Sequence, residues 1–99
     1  MATGLMLEFS GEGLDEQRYR AVNDRVNPPD DRPAGCIFHS AGPGPDGGWR
    51  VVDVWESRQD FERFQQERLF PALSEVFGDQ MPAPPTIAEW EVVNYNFNG

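Results

Sequence analysis

Three segments rich in proline, glycine and aspartate divide the chain and limit where regular structure can extend. They cover residues 27–35, 42–48 and 78–85 of the 99-residue sequence. Proline fixes φ and lacks an N–H, and glycine tolerates positive φ, so each segment is predicted to be a loop. All strands and helices must therefore lie in the stretches that remain.

Those remaining stretches change in periodicity in an orderly way. Strand-like alternation or β-branched and aromatic composition occurs at residues 4–9, 35–41, 49–56 and 86–97. Helical spacing of apolar side chains occurs at residues 14–26 and 57–77. The order βαββαβ predicts an α+β, ferredoxin-like fold, in which an antiparallel sheet carries two helices on one face.

Local signals refine the second helix and the central hairpin. Ser57 is predicted to be the N-cap, with Asp60 three residues later. Pro71 must interrupt this helix or begin a second short one after Phe70, because proline cannot donate to the helical ladder. The Gly/Pro-rich run at 42–48 predicts a hairpin between the second and third strands.

The third strand indicates that both faces of the sheet are covered. Val51, Val52 and Val54 place apolar side chains on both sides of it. A chain of this length forms one domain, residues 1–99, and its two helices cover only one face. We therefore predict a homodimer joined sheet to sheet.

The ionisable residues exclude several kinds of chemistry. All eight basic residues are arginines, against 17 acidic residues, for a net charge of -9. Without lysine there is no Schiff-base chemistry, and so acidic a chain lacks the electrostatic footprint of a nucleic-acid-binding protein. One cysteine, Cys36, and one histidine, His39, do not suffice for a disulfide or a Cys/His zinc site within one chain. Cys36 and His39 are three residues apart on one strand and are expected on opposite faces, so a thiol nucleophile is not predicted.

The sequence carries no sign of membrane targeting. No apolar run is long enough for a membrane helix, and residues 1–9 lack the basic start and the length of a signal peptide. We expect a cytoplasmic protein with no membrane partner.

Asp53 is the most unusual residue of the pattern, because it lies inside an apolar strand. A buried carboxylate needs a partner, since desolvation disfavours its charged form. If the hairpin is symmetric about Pro45, His39 is opposite Val51 and Ile37 is opposite Asp53. His39 and Asp53 are then diagonal neighbours on one face, where an aspartate-oriented histidine is a usable general base. A purely structural role for both residues remains the alternative.

Five further residues are candidates for binding a substrate. The aromatic residues among them lie on predicted strands and could line an apolar pocket between the sheet and the helices. The amide could bind a substrate oxygen, and the arginine could bind an anionic group of the substrate. Core packing or surface placement is the alternative for each. The five are Trp55, Trp90, Asn94, Tyr95 and Arg50.

The chain resembles small proteins of the dimeric α+β barrel superfamily, in particular those related to the antibiotic biosynthesis monooxygenase family. The resemblance spans nearly the whole chain and is carried by VVDVWES at 51–57, DFERF at 60–64 and LFPAL at 69–73. It implies a homodimer with a pocket between sheet and helices, and Trp55 matches the family tryptophan that ends the third strand. Haem-degrading members place the iron-ligating histidine on the second helix, whereas residues 57–77 contain no histidine.

Two hypotheses about function follow. The first is a cofactor-free enzyme of secondary metabolism, an oxidoreductase of monooxygenase type or a cyclase or dehydratase, that acts on an aromatic or polyketide-like substrate. In it, His39 and Asp53 form the acid–base pair, and no cofactor or metal is required. The second hypothesis is a non-catalytic dimeric module that binds a small apolar ligand or has a structural role.

Overall fold

Strands and helices follow one another in the predicted order. The computed structural model describes residues 2–10, 14–44 and 47–96. Four strands are present in this part of the chain: β1 (Thr3–Phe9), β2 (Cys36–Pro43), β3 (Trp49–Trp55) and β4 (Thr86–Glu91). The helices are α1 (Glu16–Val26), α2 (Arg58–Phe64) and α3 (Phe70–Phe77), with a π-helical turn, Gln65–Leu69, between α2 and α3.

The sheet has the strand order β2-β3-β1-β4, and all three pairings are antiparallel. This arrangement confirms the predicted ferredoxin-like fold. None of the helices in the described residues is long and apolar enough to cross a membrane.

The hairpin register differs from the predicted one by two residues. Pro43 pairs with Trp49 and His39 pairs with Asp53, so the turn is centred one residue beyond Pro45. Gly44 N–H donates to Gly48 C=O at 2.8 Å, and Gly47 has a φ of 89°, which closes a five-residue loop. Pro45 itself lies outside the described residues. Because a shift of two residues preserves the side-chain alternation, His39 and Asp53 still share a face.

A β-bulge near the start of β2 corrects a second prediction. Cys36 pairs with Trp55, whereas Phe38 pairs with the adjacent Val54, so Ile37 is an extra residue in β2 and is not opposite Asp53. The extra residue changes the alternation along the strand. Cys36 and His39 therefore line the same cavity instead of opposite faces.

The second helical segment continues through Pro71 without a break. Ser57 is the N-cap as predicted, and its Oγ accepts from Asp60 N–H at 3.1 Å. The N–H of Phe70 donates to the carbonyl of Gln65, five residues back, and Pro71 lies in the first turn of α3. The wider π-helical turn leads into a helix whose first turn tolerates proline.

β4 is shorter than the predicted strand 86–97. It ends at Glu91, followed by one further hydrogen bond from Val92 N–H to Ala2 C=O at 2.9 Å. β4 pairs only with β1, so its ladder stops where β1 begins. Asn94 and Tyr95 consequently follow the strand, and Phe97 lies outside the described residues.

The two faces of the sheet differ in what covers them. On the helix side, apolar side chains form two buried clusters, one of Leu5, Leu7, Trp55 and Phe61, the other of Val22, Val26, Ala72 and Phe77. The opposite side, which we call the open face, carries none of the helices in the described residues. Three cross-strand rows occupy it: Phe38–Val54–Gly4–Trp90, Ser40–Val52–Met6–Ala88 and Gly42–Arg50–Glu8–Thr86.

Candidate functional site

A cavity of about 100 Å³ lies between the helix side of the sheet and the helices. Its wall is mostly aliphatic and aromatic, because the inward positions of β1 and β3 alternate with outward ones. Its apolar lining includes Leu7, Phe9, Val22, Val51, Trp55, Phe64, Leu69 and Leu73. Its polar lining residues are Tyr19, Asn23, Asn27, Cys36, His39 and Asp53.

His39 and Asp53 are in direct contact at this cavity. Nδ1 of His39 is 2.6 Å from Oδ1 of Asp53, and the two residues are directly opposite on β2 and β3. Asp53 is only 5% exposed, and its second oxygen, Oδ2, accepts from the indole N–H of Trp55 at 3.3 Å. Both carboxylate oxygens are therefore hydrogen-bonded, as a buried acid requires.

Tyr19 completes a chain of polar groups. Its hydroxyl is hydrogen-bonded to Nε2 of His39, and the two rings are nearly parallel, at 10°, with centroids 6.0 Å apart. The Trp49 ring also packs against the Tyr19 ring, with centroids 5.3 Å apart. Burial raises the pKa of Tyr19, and the nearby charge of Asp53 raises it further.

The contacts are satisfied when the Tyr19 phenol donates to Nε2 of His39 and Nδ1 carries a ring proton that it donates to Asp53. The connected groups run from the Tyr19 hydroxyl through His39 to a carboxylate that Trp55 also stabilises. Tyr19 can thus accept a proton and pass its own to the imidazole. The buried carboxylate of Asp53 then stabilises the resulting imidazolium.

Tyr19 does not emerge from sequence reasoning alone. Its spacing with Val22 and Val26 is that of an apolar helix face, which identifies it as core. A buried tyrosine hydroxyl needs a hydrogen-bond partner, and this was the available signal. Joining it to the single histidine requires knowing that α1 packs over β2.

Cys36 lies in the same cavity but as an unreactive thiol. Its Sγ is 3.7 Å from the carbonyl oxygen of Phe38, to which it donates. Burial, followed by the charge of Asp53, raises the pKa of Cys36 to about 11. Since the thiolate is the nucleophile, Cys36 is a poor candidate for covalent catalysis near neutral pH.

Four of the predicted site residues lie away from the cavity. Arg50 alternates with Asp53 along β3 and so projects to the open face, where it pairs with Glu8 at 3.4 Å. Trp90 is opposite Gly4 on the same face and is 42% exposed. Asn94 and Tyr95 are exposed beyond the end of β4. Of the residues predicted for the site, only His39, Asp53 and Trp55 line the cavity.

No metal-binding cluster is found in the part of the chain that the structure describes, since no three His, Cys, Asp or Glu side chains approach one another suitably.

Known structures with the same architecture are found across distant organisms, although no family model and no curated protein matches the sequence. A candidate antibiotic biosynthesis monooxygenase from Chloroflexus aurantiacus is 14% identical over 100% of both chains, with a TM-score of 0.74. Rv0793 from Mycobacterium tuberculosis is 13% identical over 96% of this chain and 98% of its own, with a TM-score of 0.70. SnoaB, a cofactor-independent oxygenase from Streptomyces nogalater, is 13% identical over 95% of both chains, with a TM-score of 0.67.

These similarities confirm the resemblance at the level of the fold. The chain has the α+β fold of the proteins named as antibiotic biosynthesis monooxygenases.

Proposed function

We propose that this chain is a cofactor-independent enzyme that removes a proton from an aromatic or polyketide-like substrate. The observation that carries the proposal is the hydrogen-bonded sequence Tyr19–His39–Asp53 at the wall of an apolar cavity. Within it, a buried carboxylate orients the imidazole through Nδ1, which is the arrangement that a general base needs. The fold shared with SnoaB, a cofactor-independent oxygenase, also supports it.

Proton transfer in this mechanism passes through Tyr19. An acidic O–H of the substrate donates to the Tyr19 oxygen while Tyr19 passes its own proton to Nε2 of His39. The products are a substrate anion and an imidazolium that Asp53 stabilises through Nδ1. The raised pKa of Tyr19 suits this role, because the phenol then remains protonated between transfers.

The substrate anion then reacts by one of the routes open to a phenolate or enolate. In the monooxygenase route, a ring C–H of a phenol becomes a second carbonyl: one oxygen atom of O₂ enters the product quinone, the other leaves as water, and the substrate supplies all the electrons. Cyclisation or elimination of water begins from the same anion. The apolar wall, with Trp55 beneath Asp53, excludes water from it.

The proposal includes a homodimer built on the open face. The open face has an apolar surface that the described helices do not cover, formed by Phe38, Val52, Val54, Met6 and Trp90. A second copy of this chain is a suitable partner, because a two-fold axis brings the surface against itself. In sedimentation equilibrium we expect twice the mass of one chain, and a monomer for Val52→Arg. A monomeric wild-type protein would refute the dimer.

The catalytic proposal is tested by oxygen consumption and quinone absorbance with a panel of phenols and naphthols. We expect His39→Ala to lower turnover by about 10²–10⁴-fold, the usual contribution of a general base. We expect Asp53→Asn to lower turnover by a factor in the same range. Asp24→Asn, the same change at an exposed carboxylate on α1, should leave turnover unchanged. Equal turnover by wild type and His39→Ala would refute the proposed base.

The alternative is a non-catalytic module that binds a small ligand. The observation in its favour is that Tyr19 already occupies Nε2 of His39. It predicts saturable binding of phenols without oxygen consumption or product, and binding that His39→Ala weakens only slightly.

A further inference from the structure

Asn23 is a polar residue of the cavity that neither the sequence reasoning nor the proposed proton transfer uses. It lies one helical turn after Tyr19 on α1, and both residues line the cavity. Side chains four residues apart on a helix are neighbours on the same face, about 5–6 Å apart at Cβ. Asn23 thus lies one helical turn from Tyr19 along one wall of the cavity.

The side chain of Asn23 makes no hydrogen bond to any described residue, and its polar atoms are not sealed from solvent. Asn27, one turn further, also lines the cavity, but its Oδ1 accepts from Arg32 at 3.4 Å. Among the asparagines of the lining, Asn23 is therefore the one with its full hydrogen-bonding capacity available. An amide offers both a donor and an acceptor, so it can bind a carbonyl or a hydroxyl group.

The volume of the cavity restricts what can reach this amide. At about 100 Å³ it is smaller than the ~150 Å³ cavity known to hold one benzene molecule, and well below the roughly 300–1,000 Å³ of sites for drug-sized ligands. A single six-membered ring with small substituents fits after slight widening. A fused multi-ring compound has to extend beyond this volume.

We infer that the ligand of this cavity is a single-ring compound with two oxygen substituents, one bound by Tyr19 and His39 and the other by Asn23. This inference rests on the proposed site but not on its reaction. Asn23 is the specificity-determining residue, because a mono-oxygenated ring offers its amide no hydrogen-bond partner. A second oxygen on the ring supplies that partner and distinguishes the ligand from a simple phenol.

Equilibrium binding tests this inference independently of turnover. Titration calorimetry under anaerobic conditions compares phenol, catechol, resorcinol, hydroquinone and 1-naphthol on the wild-type protein. We expect at least one dihydroxybenzene to bind about 3–10-fold more tightly than phenol, the value of one net hydrogen bond. We expect 1-naphthol to bind more weakly than phenol.

Variants assign the preference to one side chain. Asn23→Leu keeps the number and branching of the side-chain heavy atoms and removes the amide, so we expect it to abolish the preference for the dihydroxybenzene over phenol. Asn94→Leu, the same change at an exposed site outside the cavity, leaves both affinities unchanged. Tyr19→Phe weakens all hydroxylated probes together, which separates the two contacts.

Three results would overturn the inference: equal affinities for phenol and all three dihydroxybenzenes, a preference that survives in Asn23→Leu, or tighter binding of 1-naphthol than of phenol. Absence of binding by every probe would also overturn it. Loss of oxygen consumption with preserved selective binding would refute only the proposed reaction.

Discussion

β3 carries one partner of a polar side-chain pair on each face of the sheet, and the two pairs differ sharply. Asp53 is buried, contacts His39 at 2.6 Å and accepts a second bond from Trp55. Arg50 contacts Glu8 at 3.4 Å, and both side chains are about 40% exposed. They are three positions apart on β3, so alternation alone directs one into the cavity and the other to the open face.

The comparison teaches that burial, not the presence of opposite charges, makes a pair chemically useful. Water screens the Arg50–Glu8 pair, so its net contribution is small. The His39–Asp53 pair lies where neighbouring groups replace water, so removing one partner leaves polar atoms uncompensated. The same acid-to-amide change on each face therefore measures the difference directly.

Asp53→Asn and Glu8→Gln are the matched variants with the largest expected contrast. In Asp53→Asn, the buried carboxylate is lost and His39 must change tautomer to accept from the new amide, so we expect a loss of about 1–3 kcal/mol in the free energy of unfolding. Glu8→Gln should change it by less than about 0.5 kcal/mol. Urea denaturation measures both, and equal losses would contradict the contrast between the faces.

Gly4→Ala tests how tightly the open face is packed. A Cβ at Gly4 would overlap the Trp90 indole, whereas a Cβ at Gly42, on β2, has nothing within 4 Å. We expect a loss of about 1–3 kcal/mol for Gly4→Ala, as for other overpacked sites, and little change for Gly42→Ala. The double variant Gly4→Ala/Trp90→Ala should then be less destabilised than the sum of its single changes. Strict additivity in chemical denaturation would show that Trp90 is not the obstacle.

Tyr19→Phe tests the other end of the polar chain. Loss of the hydroxyl removes the donor to Nε2 of His39, and we expect a cost of about 0.5–1.5 kcal/mol. The ¹⁵N shifts of the single imidazole should show the proton on Nδ1 in the wild type and in this variant, because Asp53 is unchanged. A proton on Nε2 in the wild type would contradict the assigned donor to Asp53.

The smallest expected effect is a loss of stability at alkaline pH. The Cys36 thiol loses its proton near pH 9 when unfolded but near pH 11 when folded. Its contribution is therefore complete below about pH 9 and decreases as the pH rises toward 11, since the unfolded state alone gains the stability of the thiolate. Cys36→Ala should flatten the fall of unfolding free energy across this interval, and an unchanged slope would contradict the raised pKa.

The fold could be predicted from the sequence because its signals are local. Loop residues, alternation and the Ser57 cap each depend on a few neighbouring positions, and together they define the βαββαβ order. The contact between His39 and Asp53 was partly predictable, because an error of two residues in register keeps both on one face. An error of one would have separated them.

The remaining parts of the site depend on features without a local signature. The extra residue Ile37 in β2 places Cys36 in the cavity, and no turn or proline marks it in the sequence. Tyr19 and Asn23 reach the cavity from α1, whereas His39 and Asp53 reach it from β2 and β3, and the contact between these elements is a tertiary relation. Trp90 and Arg50 are predicted to line the pocket because strand residues can project to either face. In the observed register, the side chains of both residues project to the open face.

The π-helical turn before Pro71 has a consequence for the phase of the second helical segment. Phe64 and Leu69, five residues apart, both line the cavity, although residues at that spacing diverge by well over a quarter turn on a regular α-helix. The π-helical turn thus adds one residue to the helical repeat. The added residue keeps the apolar faces of α2 and α3 aligned toward the cavity. Deleting one residue from 65–69 would rotate the wall formed by α3 away from the cavity while leaving the helix intact.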